Sequence, residues 1–141
     1  MYLLDTNVIS DLRRPERANP GLAAWAKTAA PAEQFMSVIS LLEIEQGVLS
    51  AGRKDPAKGK LLRTWVDTVV LPRFGSRILP IDVAVARQCA ALHVPDPRPE
   101  RDSLIGATAL VHRLTVVTRN IRDFEPMGIR LLNPWETSSS T

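Results

Sequence analysis

Hydrophobic positions along the chain form five short apolar runs, which are separated by longer stretches of helical periodicity. The runs are typical of strands, because they are short, rich in branched residues and bounded by polar or turn residues. We predict strands at residues 2–5, 35–38, 78–81, 115–118 and 130–133. Strands that alternate with helices favour an α/β fold in which a parallel sheet is covered on both sides.

Several of the intervening segments begin with helix-start signals. We predict helix caps at three residues, each followed by a helix-compatible residue: Asn19, Asp55 and Asp82. Ser40 and Glu43 have the spacing of a capping box, which places Glu43 in the first turn of the helix after the second strand. Residues 102–113 carry apolar positions on one face and predict a helix that Asp102 opens.

The composition is that of an ordinary globular protein. A length of 141 residues, with 45% hydrophobic and 23% charged residues, suits one domain with one hydrophobic core. Prolines between residues 94 and 99 prevent a helix there, and we interpret that segment as an ordered connector. We therefore predict a single domain over residues 1–136, followed by a short Ser/Thr tail at 137–141.

Charge and cysteine content narrow the range of partners and compartments. A formal charge of +3 and a pI of about 9.5 favour an anionic partner. Cys89 is the only cysteine, so no internal disulfide can form, and we expect a reducing, cytoplasmic compartment. No apolar run approaches the roughly 18 residues that a membrane helix needs, so we expect no membrane partner.

Four acidic residues fall at one edge of the predicted sheet. Asp5 ends the first strand, and Asp123 lies just beyond the fourth. Glu43 follows the second strand, and Asp102 begins the helix that leads into the fourth. Because the carboxyl ends of parallel strands share one edge, all four carboxylates should meet there. Taken alone, each has a structural explanation as a cap, a capping-box partner or a turn residue.

Four carboxylates in one small volume repel one another unless some stay protonated or a cation neutralises them. Oxygen ligands suit hard divalent ions, so we predict Mg²⁺ as the cofactor, with Mn²⁺ as the alternative. Such an ion would lower the pKa of a bound water. Other acids lie in caps, in a helix or in the proline segment and are not expected to bind metal: Asp55, Asp67, Asp82 and Asp96.

Ordered sequence blocks resemble a known family along almost the whole chain. They are LLDTNVIS at residues 3–10, SVISLLEIEQG at 37–47, DSLIGATA at 102–109, LTVVTRN at 114–120 and DF at 123–124. These blocks resemble PIN-domain toxins of the VapC type, and NPW at 133–135 is similar to the FitB-like branch of that family. The resemblance implies a PIN-like, three-layer α/β/α fold with a five-stranded parallel sheet.

The same resemblance implies the toxin of a type II toxin–antitoxin system. It would be a Mg²⁺-dependent endoribonuclease that cleaves RNA through a metal-activated water and leaves a 5′-phosphate and a 3′-hydroxyl. By matching blocks, Asp5 and Asp102 would bind the metal directly. Glu43 and Asp123 would bind it through water or hold a second ion. Gly106 stands where alanine is more usual, which implies only a modest loss of helix propensity.

Polar and basic residues complete the implied site. Three polar residues match the family's blocks and would orient ligands or substrate: Asn7, Thr118 and Asn120. Three arginines flank the acidic edge and would steer the RNA backbone: Arg101, Arg119 and Arg122. The implied partners are RNA, a cognate VapB-type antitoxin that inserts a peptide at the acidic edge, and a second copy of the chain. The resulting toxin–antitoxin hetero-oligomer would bind operator DNA through the antitoxin.

Two alternatives stay open at this point. A non-catalytic PIN-like binding module would share the fold, and only an assay distinguishes it from an enzyme. A haloacid-dehalogenase-like phosphatase also begins with an aspartate after an apolar strand, but Asn7 replaces its second aspartate and no later lysine lies at the sheet edge. A mechanism that uses a histidine pair is disfavoured, because His93 and His112 lie near separate helix ends.

Overall fold

The computed structural model describes residues 1–136 and contains one five-stranded sheet. Its strands are β1 (Tyr2–Leu4), β2 (Gln34–Ser37), β3 (Ile78–Leu79), β4 (Thr115–Val117) and β5 (Leu131–Leu132). They are arranged in the order β3-β2-β1-β4-β5, and every neighbouring pair is parallel. The predicted α/β fold with a five-stranded parallel sheet is confirmed. Four strands are shorter than predicted, and β2 begins and ends one residue earlier.

Helices fill the connections between the strands. They are α1 (Thr6–Asp11), α2 (Pro20–Thr28), α3 (Val38–Lys54), α4 (Pro56–Trp65), α5 (Leu71–Phe74), α6 (Val83–Leu92), α7 (Glu100–His112) and α8 (Ile121–Phe124). A π-helical segment, Val66–Val70, joins α4 to α5. The predicted caps Asn19, Asp55 and Asp82 are confirmed, since each side chain accepts a hydrogen bond from a backbone N–H in the first turn of its helix.

The two central strands bury alternate residues in two separate cores. Leu4 and Val117 pack in a core that α1 to α5 share. Leu3 and Val116 pack on the opposite face, in a core that includes Phe124 of α8 and residues of α7. Successive strand residues point to opposite faces, so this arrangement requires helices on both sides of the sheet. Polar residues, among them Asp5 and Thr118, lie at the carboxyl edge between the two layers.

The predicted capping box at the start of α3 is wrong. Ser37 is the cap, and its hydroxyl accepts a hydrogen bond from the N–H of Ile39 at 3.0 Å. The helix therefore begins at Val38, and the Oγ of Ser40 is buried without a hydrogen-bond partner among the described residues. Glu43 consequently lies in the second turn instead of the first, where its side chain is free to contact a different element.

The helix that carries Asp102 also begins earlier than predicted. Helix α7 starts at Glu100, after Pro99, so Asp102 lies within the first turn and does not open the helix. The Pro99 carbonyl accepts hydrogen bonds from the backbone N–H of Ser103 at 3.0 Å and from its hydroxyl at 2.6 Å. These hydrogen bonds stabilise the first turn of the helix, which precedes the apolar positions that mark the helix in the sequence.

Gly106 lies where the chain after α8 packs directly on α7. A Cβ atom at this position would lie 2.5 Å from the Sδ of Met127 and 2.9 Å from the Cδ1 of Ile129. The glycine therefore permits this close approach, whereas the sequence suggested only a loss of helix propensity. This contact helps to fix α8, which carries Asp123, relative to α7, which carries Asp102.

The predicted Ser/Thr tail at 137–141 lies outside the described residues. Cys89 is buried between α6 and α7, and burial raises the pKa of its thiol. Within residues 1–136, no helix combines the length and the apolar character that crossing a membrane would need.

Candidate active site

Asp5 follows β1 directly and is held by three hydrogen-bond donors. The residue is 6% exposed. The Thr6 N–H donates to Oδ1 at 2.8 Å, while the Thr118 hydroxyl and the Asn7 amide donate to Oδ2 at 2.8 and 3.1 Å. The Asp5 N–H donates to the carbonyl of Val117 at 2.9 Å, which extends the pairing of β1 with β4 by one residue. The carboxylate is therefore fixed in one orientation at the carboxyl edge.

The polar residues around Asp5 connect the loop after β1 to the loop after β4. The Thr118 hydroxyl accepts a hydrogen bond from the N–H of Asn120 at 2.9 Å. The Asn7 Oδ1 accepts one from the N–H of Arg119 at 3.3 Å. Asn7 and Thr118 thus contact Asp5 directly, whereas Asn120 reaches it only through Thr118.

Glu43 reaches the same edge from α3. Its Oε1 accepts a hydrogen bond from the Thr6 hydroxyl at 2.5 Å, and its Oε2 lies 3.6 Å from Nη1 of Arg101. Thr6 therefore bridges Glu43 to Asp5, because its backbone N–H holds one carboxylate and its hydroxyl the other. Arg101, which sequence reasoning placed near the substrate, contacts Glu43 in this structure.

Burial and neighbouring negative charge act on two of the four acids, Asp102 and Asp5. Burial raises the pKa of Asp102 to about 6, and the charges of Asp123, Asp5 and Glu43 contribute in that order. Burial also raises the pKa of Asp5, the hydrogen bond from Thr118 opposes that effect, and the charge of Glu43 adds to it. The structure therefore brings all four predicted acids together, and Asp123 acts on Asp102 more strongly than the other two do.

The donor set fits a hard divalent cation with retained waters. It consists of carboxylate oxygens, which Mg²⁺ and Mn²⁺ prefer. Within residues 1–136, no three acidic, histidine or cysteine side chains already close around one position. An ion at this edge would therefore be held by one or two carboxylates and by waters, an arrangement that Mg²⁺ commonly adopts. Burial and, after it, the charges of the other three acids raise the pKa of Asp102, and such a cation would neutralise that negative charge.

Thr6 is the site residue that sequence reasoning missed. It lies next to Asp5 inside the first sequence block, and its hydroxyl contacts a residue 37 positions away. The only available signal was its place in that block, since no local pattern predicts a contact with α3.

One cavity with two arginines adjoins this cluster, and two other cavities lie apart from it. Arg119 and Arg122 line a polar cavity that includes Asp123, whereas Arg13, Arg14 and Arg17 line a different hollow. A larger, mainly apolar cavity of about 490 Å³ lies against α1, α2 and the α4–α5 segment. That cavity includes none of the four acids, so its size does not make it the reaction site.

Comparison with known proteins identifies relatives over nearly the whole chain. The PIN-domain family matches residues 2–128. The chain is 36% identical to the toxin FitB of Neisseria gonorrhoeae in an alignment of 143 positions, which covers 96% of this chain and 99% of FitB. It is 51% identical to ribonuclease VapC14 of Mycobacterium tuberculosis over 73 residues, which cover 52% of this chain and 70% of that protein.

Solved structures agree with these sequence matches. The crystal structure of FitAcB from Neisseria gonorrhoeae superposes with a TM-score of 0.87 at 34% identity, and the match covers 96% of this chain and 99% of the other. The structure of FitAB bound to an IR36 DNA fragment gives a TM-score of 0.82 at 32% identity, with 96% of each chain covered. With most of its length matched by the family and FitB matched from end to end, the chain belongs to the PIN-domain family, among the VapC- and FitB-like toxins.

Proposed function

We propose that this protein is the toxin of a type II toxin–antitoxin system and acts in the cytoplasm as a Mg²⁺-dependent endoribonuclease. The convergence of four carboxylates on the carboxyl edge, where burial and then the charges of the other three raise the pKa of Asp102, supports the proposal. The names of the relatives support it, because VapC14 is a ribonuclease and FitB is a toxin.

Each acid has a proposed role at the edge. Asp5 and Asp102 would hold a divalent ion directly, and Glu43 and Asp123 would hold it through water or hold a second ion. When bound, the ion supplies an activated water and a positive charge beside the scissile phosphate. The chain itself supplies orientation, since three donors fix the Asp5 carboxylate and Thr6 links it to Glu43.

Basic residues around the acids provide for an RNA substrate. Arg119 and Arg122 line the cavity that includes Asp123, and Arg101 lies beside Glu43. Arginines at the rim of an acidic site attract the phosphate backbone without displacing the carboxylates. No nucleophilic side chain is needed, because the attacking group is water.

The proposed partners follow from the relatives. The similar structures are of FitAcB and FitAB, the latter bound to a DNA fragment. We infer a cognate VapB-type antitoxin that covers the acidic edge and binds operator DNA, and a homodimer of this chain within the complex. Co-expression with the neighbouring reading frame, followed by size-exclusion chromatography and operator-DNA binding, tests this assembly.

The enzymatic proposal is tested with purified protein and a fluorescently labelled RNA. Cleavage should require Mg²⁺ or Mn²⁺ and stop in chelator. Asp102→Asn should lose roughly a hundred-fold or more in rate, because several kcal/mol of charge stabilisation depend on the ion. Asp96→Asn is the matched control, since it removes an exposed carboxylate in the proline segment and should keep full activity.

Three results would overturn the enzymatic proposal. They are metal-independent cleavage, full activity of Asp102→Asn, or RNA binding without any cleavage. The last result would favour the non-catalytic PIN-like module. The haloacid-dehalogenase-like alternative is no longer supported, because the chain belongs to the PIN-domain family.

A further inference from the structure

A polar cavity of about 440 Å³ opens beside the acidic cluster, on the side of β5. Its lining includes Arg119, Asn120, Arg122, Asp123 and Asn133. Because Asp123 also belongs to the acidic cluster, the cavity adjoins the proposed cleavage site. Its volume falls within the roughly 300–1,000 Å³ of typical small-ligand pockets.

Arg119 offers a flat surface in this cavity. The carbon centre of its guanidinium lies 5.7 Å from the ring centroid of Trp135, so the ring attracts and supports the cation. Its backbone N–H donates to the Oδ1 of Asn7, which anchors the residue to the loop that carries Asp5. Among the described residues, its side chain makes no salt bridge, which leaves the guanidinium available to a ligand. Unpaired bases stack on such guanidinium planes in RNA complexes.

Two carboxamides supply hydrogen-bonding groups. The Oδ1 of Asn133 accepts a hydrogen bond from the N–H of Trp135 at 3.0 Å, so the orientation of the amide leaves its NH₂ group free to donate. Asn120 also lines the cavity, and its backbone is anchored by a hydrogen bond from its N–H to the Thr118 hydroxyl. Carboxamides read base edges because they carry a donor and an acceptor side by side.

The charges of the lining favour a neutral, hydrogen-bonding ligand over a bare anion. Two arginines face the cavity together with three acids: Asp123, Glu125 and Glu136. A free phosphate would meet these carboxylates, whereas a nucleobase is planar and uncharged and has both donors and acceptors. A base attached to the cleaved strand can occupy the cavity while its phosphate lies at the acidic edge.

We propose that this cavity binds one nucleobase of the RNA next to the cleaved phosphodiester bond and thereby sets a base preference at that position. Arg119 is the stacking surface, and Asn133 and Asn120 read the edge of the base. This inference rests on the proposed ribonuclease function and adds a specificity subsite to it.

The first test is cleavage of a randomised RNA library, with the cleaved ends identified by sequencing. The native protein should prefer one base by about tenfold or more at a single position beside the cleaved bond. Stacking itself accepts every base, but the stack on Arg119 holds the base where Asn133 and Asn120 can read its edge, so Arg119→Ala should relax that preference to below about threefold. Asn133→Asp keeps the acceptor for the Trp135 N–H but removes the NH₂ donor, so it should change which base is preferred.

Arg53→Ala is the matched control. It also removes one exposed arginine, but from the last turn of α3, roughly 20 Å along the helix from the sheet edge. Its base preference should equal that of the native protein. An unchanged preference in Arg119→Ala and Asn133→Asp would overturn the subsite, as would a uniform slowing on all sequences, which would indicate phosphate contacts alone.

The second test does not require cleavage. Isothermal titration with AMP, GMP, CMP and UMP in chelator should show one preferred nucleotide, and Asn133→Asp should change that order. If the native protein fails to cleave RNA but keeps this order, the ribonuclease proposal fails, and only the base-binding part of the inference stands. If cleavage occurs but all four nucleotides bind equally in every variant, the subsite fails. Loss of antitoxin binding in Arg119→Ala, with the base preference intact, would assign the cavity to the protein partner and also overturn the proposal.

Discussion

Replacing Asp102 by asparagine should make the metal-free protein more stable at neutral pH, although it removes a proposed ligand. Burial and the charges of Asp123, Asp5 and Glu43 disfavour the ionised form, and they raise the pKa of Asp102 from 3.8 to about 6. Asparagine has nearly the same shape and cannot ionise. The variant therefore removes an unfavourable charge and leaves the packing of α7 unchanged.

The size of the effect follows from the difference in pKa. The folded protein holds the proton on Asp102 more tightly than the unfolded chain does. This preference stabilises the native protein fully below pH 3.8 and is lost as the pH rises through about 6. A shift of about two units corresponds to about 3 kcal/mol at 1.36 kcal/mol per unit. Because Asp102 is partly exposed, solvent screening reduces this to about 1.5 kcal/mol.

Urea unfolding at pH 4 and pH 7.5, in chelator, measures the effect. The free energy of unfolding of Asp102→Asn, relative to the native protein, should rise by about 1 kcal/mol or more between the two pH values. Asp96→Asn is the control for a carboxylate outside the cluster. A difference between Asp102→Asn and the native protein that does not change with pH would refute the electrostatic interpretation.

A divalent ion should make the native protein more stable than Asp102→Asn. An ion that binds only the folded native protein stabilises it by about 2.7 kcal/mol at a hundred times its Kd. Asp102→Asn should gain much less, because one proposed ligand is missing. Equal thermal shifts of the two proteins in Mn²⁺ would show that Asp102 does not hold the ion.

Three further predictions concern other contacts. Arg101→Ala removes the cation that neutralises Glu43, so it should tighten Mn²⁺ binding in calorimetry, and unchanged affinity would contradict this. Thr118→Val removes two hydrogen bonds and should cost about 1–3 kcal/mol in urea unfolding. It should also move the acidic limb of the pH–rate profile to higher pH, because the hydrogen bond from Thr118 lowers the pKa of Asp5. Gly59→Ala places a Cβ 2.4 Å from the Cα of Gly52 and should lower the free energy of unfolding by about 1–3 kcal/mol or more. Gly52→Ala meets only a 3.4 Å contact and should raise the free energy of unfolding by up to about 1 kcal/mol through its better helix propensity. Equal effects of these two substitutions in thermal unfolding would contradict the close helix approach.

The edge on which the acids meet could be predicted from the sequence, because Asp5 and Asp123 follow apolar runs and parallel strands share a carboxyl edge. The start of α3 could not be predicted from the sequence. Ser37 and Ser40 can both act as caps, and the choice depends on where β2 ends. The register of β2 with β3 pairs Ser37 with Leu79, and this pairing involves residues far apart in the sequence. A local spacing rule cannot contain that information.

The contacts that give each acid its environment were equally invisible in the sequence. Thr6 reaches Glu43 across 37 residues, and Arg101 reaches it from α7. Arg119 and Trp135 meet because β4 and β5 are neighbours in the sheet. Periodicity predicts which face of an element is buried, but it does not predict which polar side chains meet at the end of a sheet.

The fold balances its concentrated negative charge in three different ways. Asp5 is surrounded by neutral donors, Glu43 is paired with Arg101, and the pKa of Asp102 is raised so that it holds a proton more readily. These arrangements respond differently to a cation. The donors to Asp5 can remain in place, but Arg101 competes with the cation for Glu43, and a proton on Asp102 must leave before its carboxylate can bind an ion. The metal-free site is therefore already compensated, and two of its three compensating interactions are ones that an incoming cation can replace.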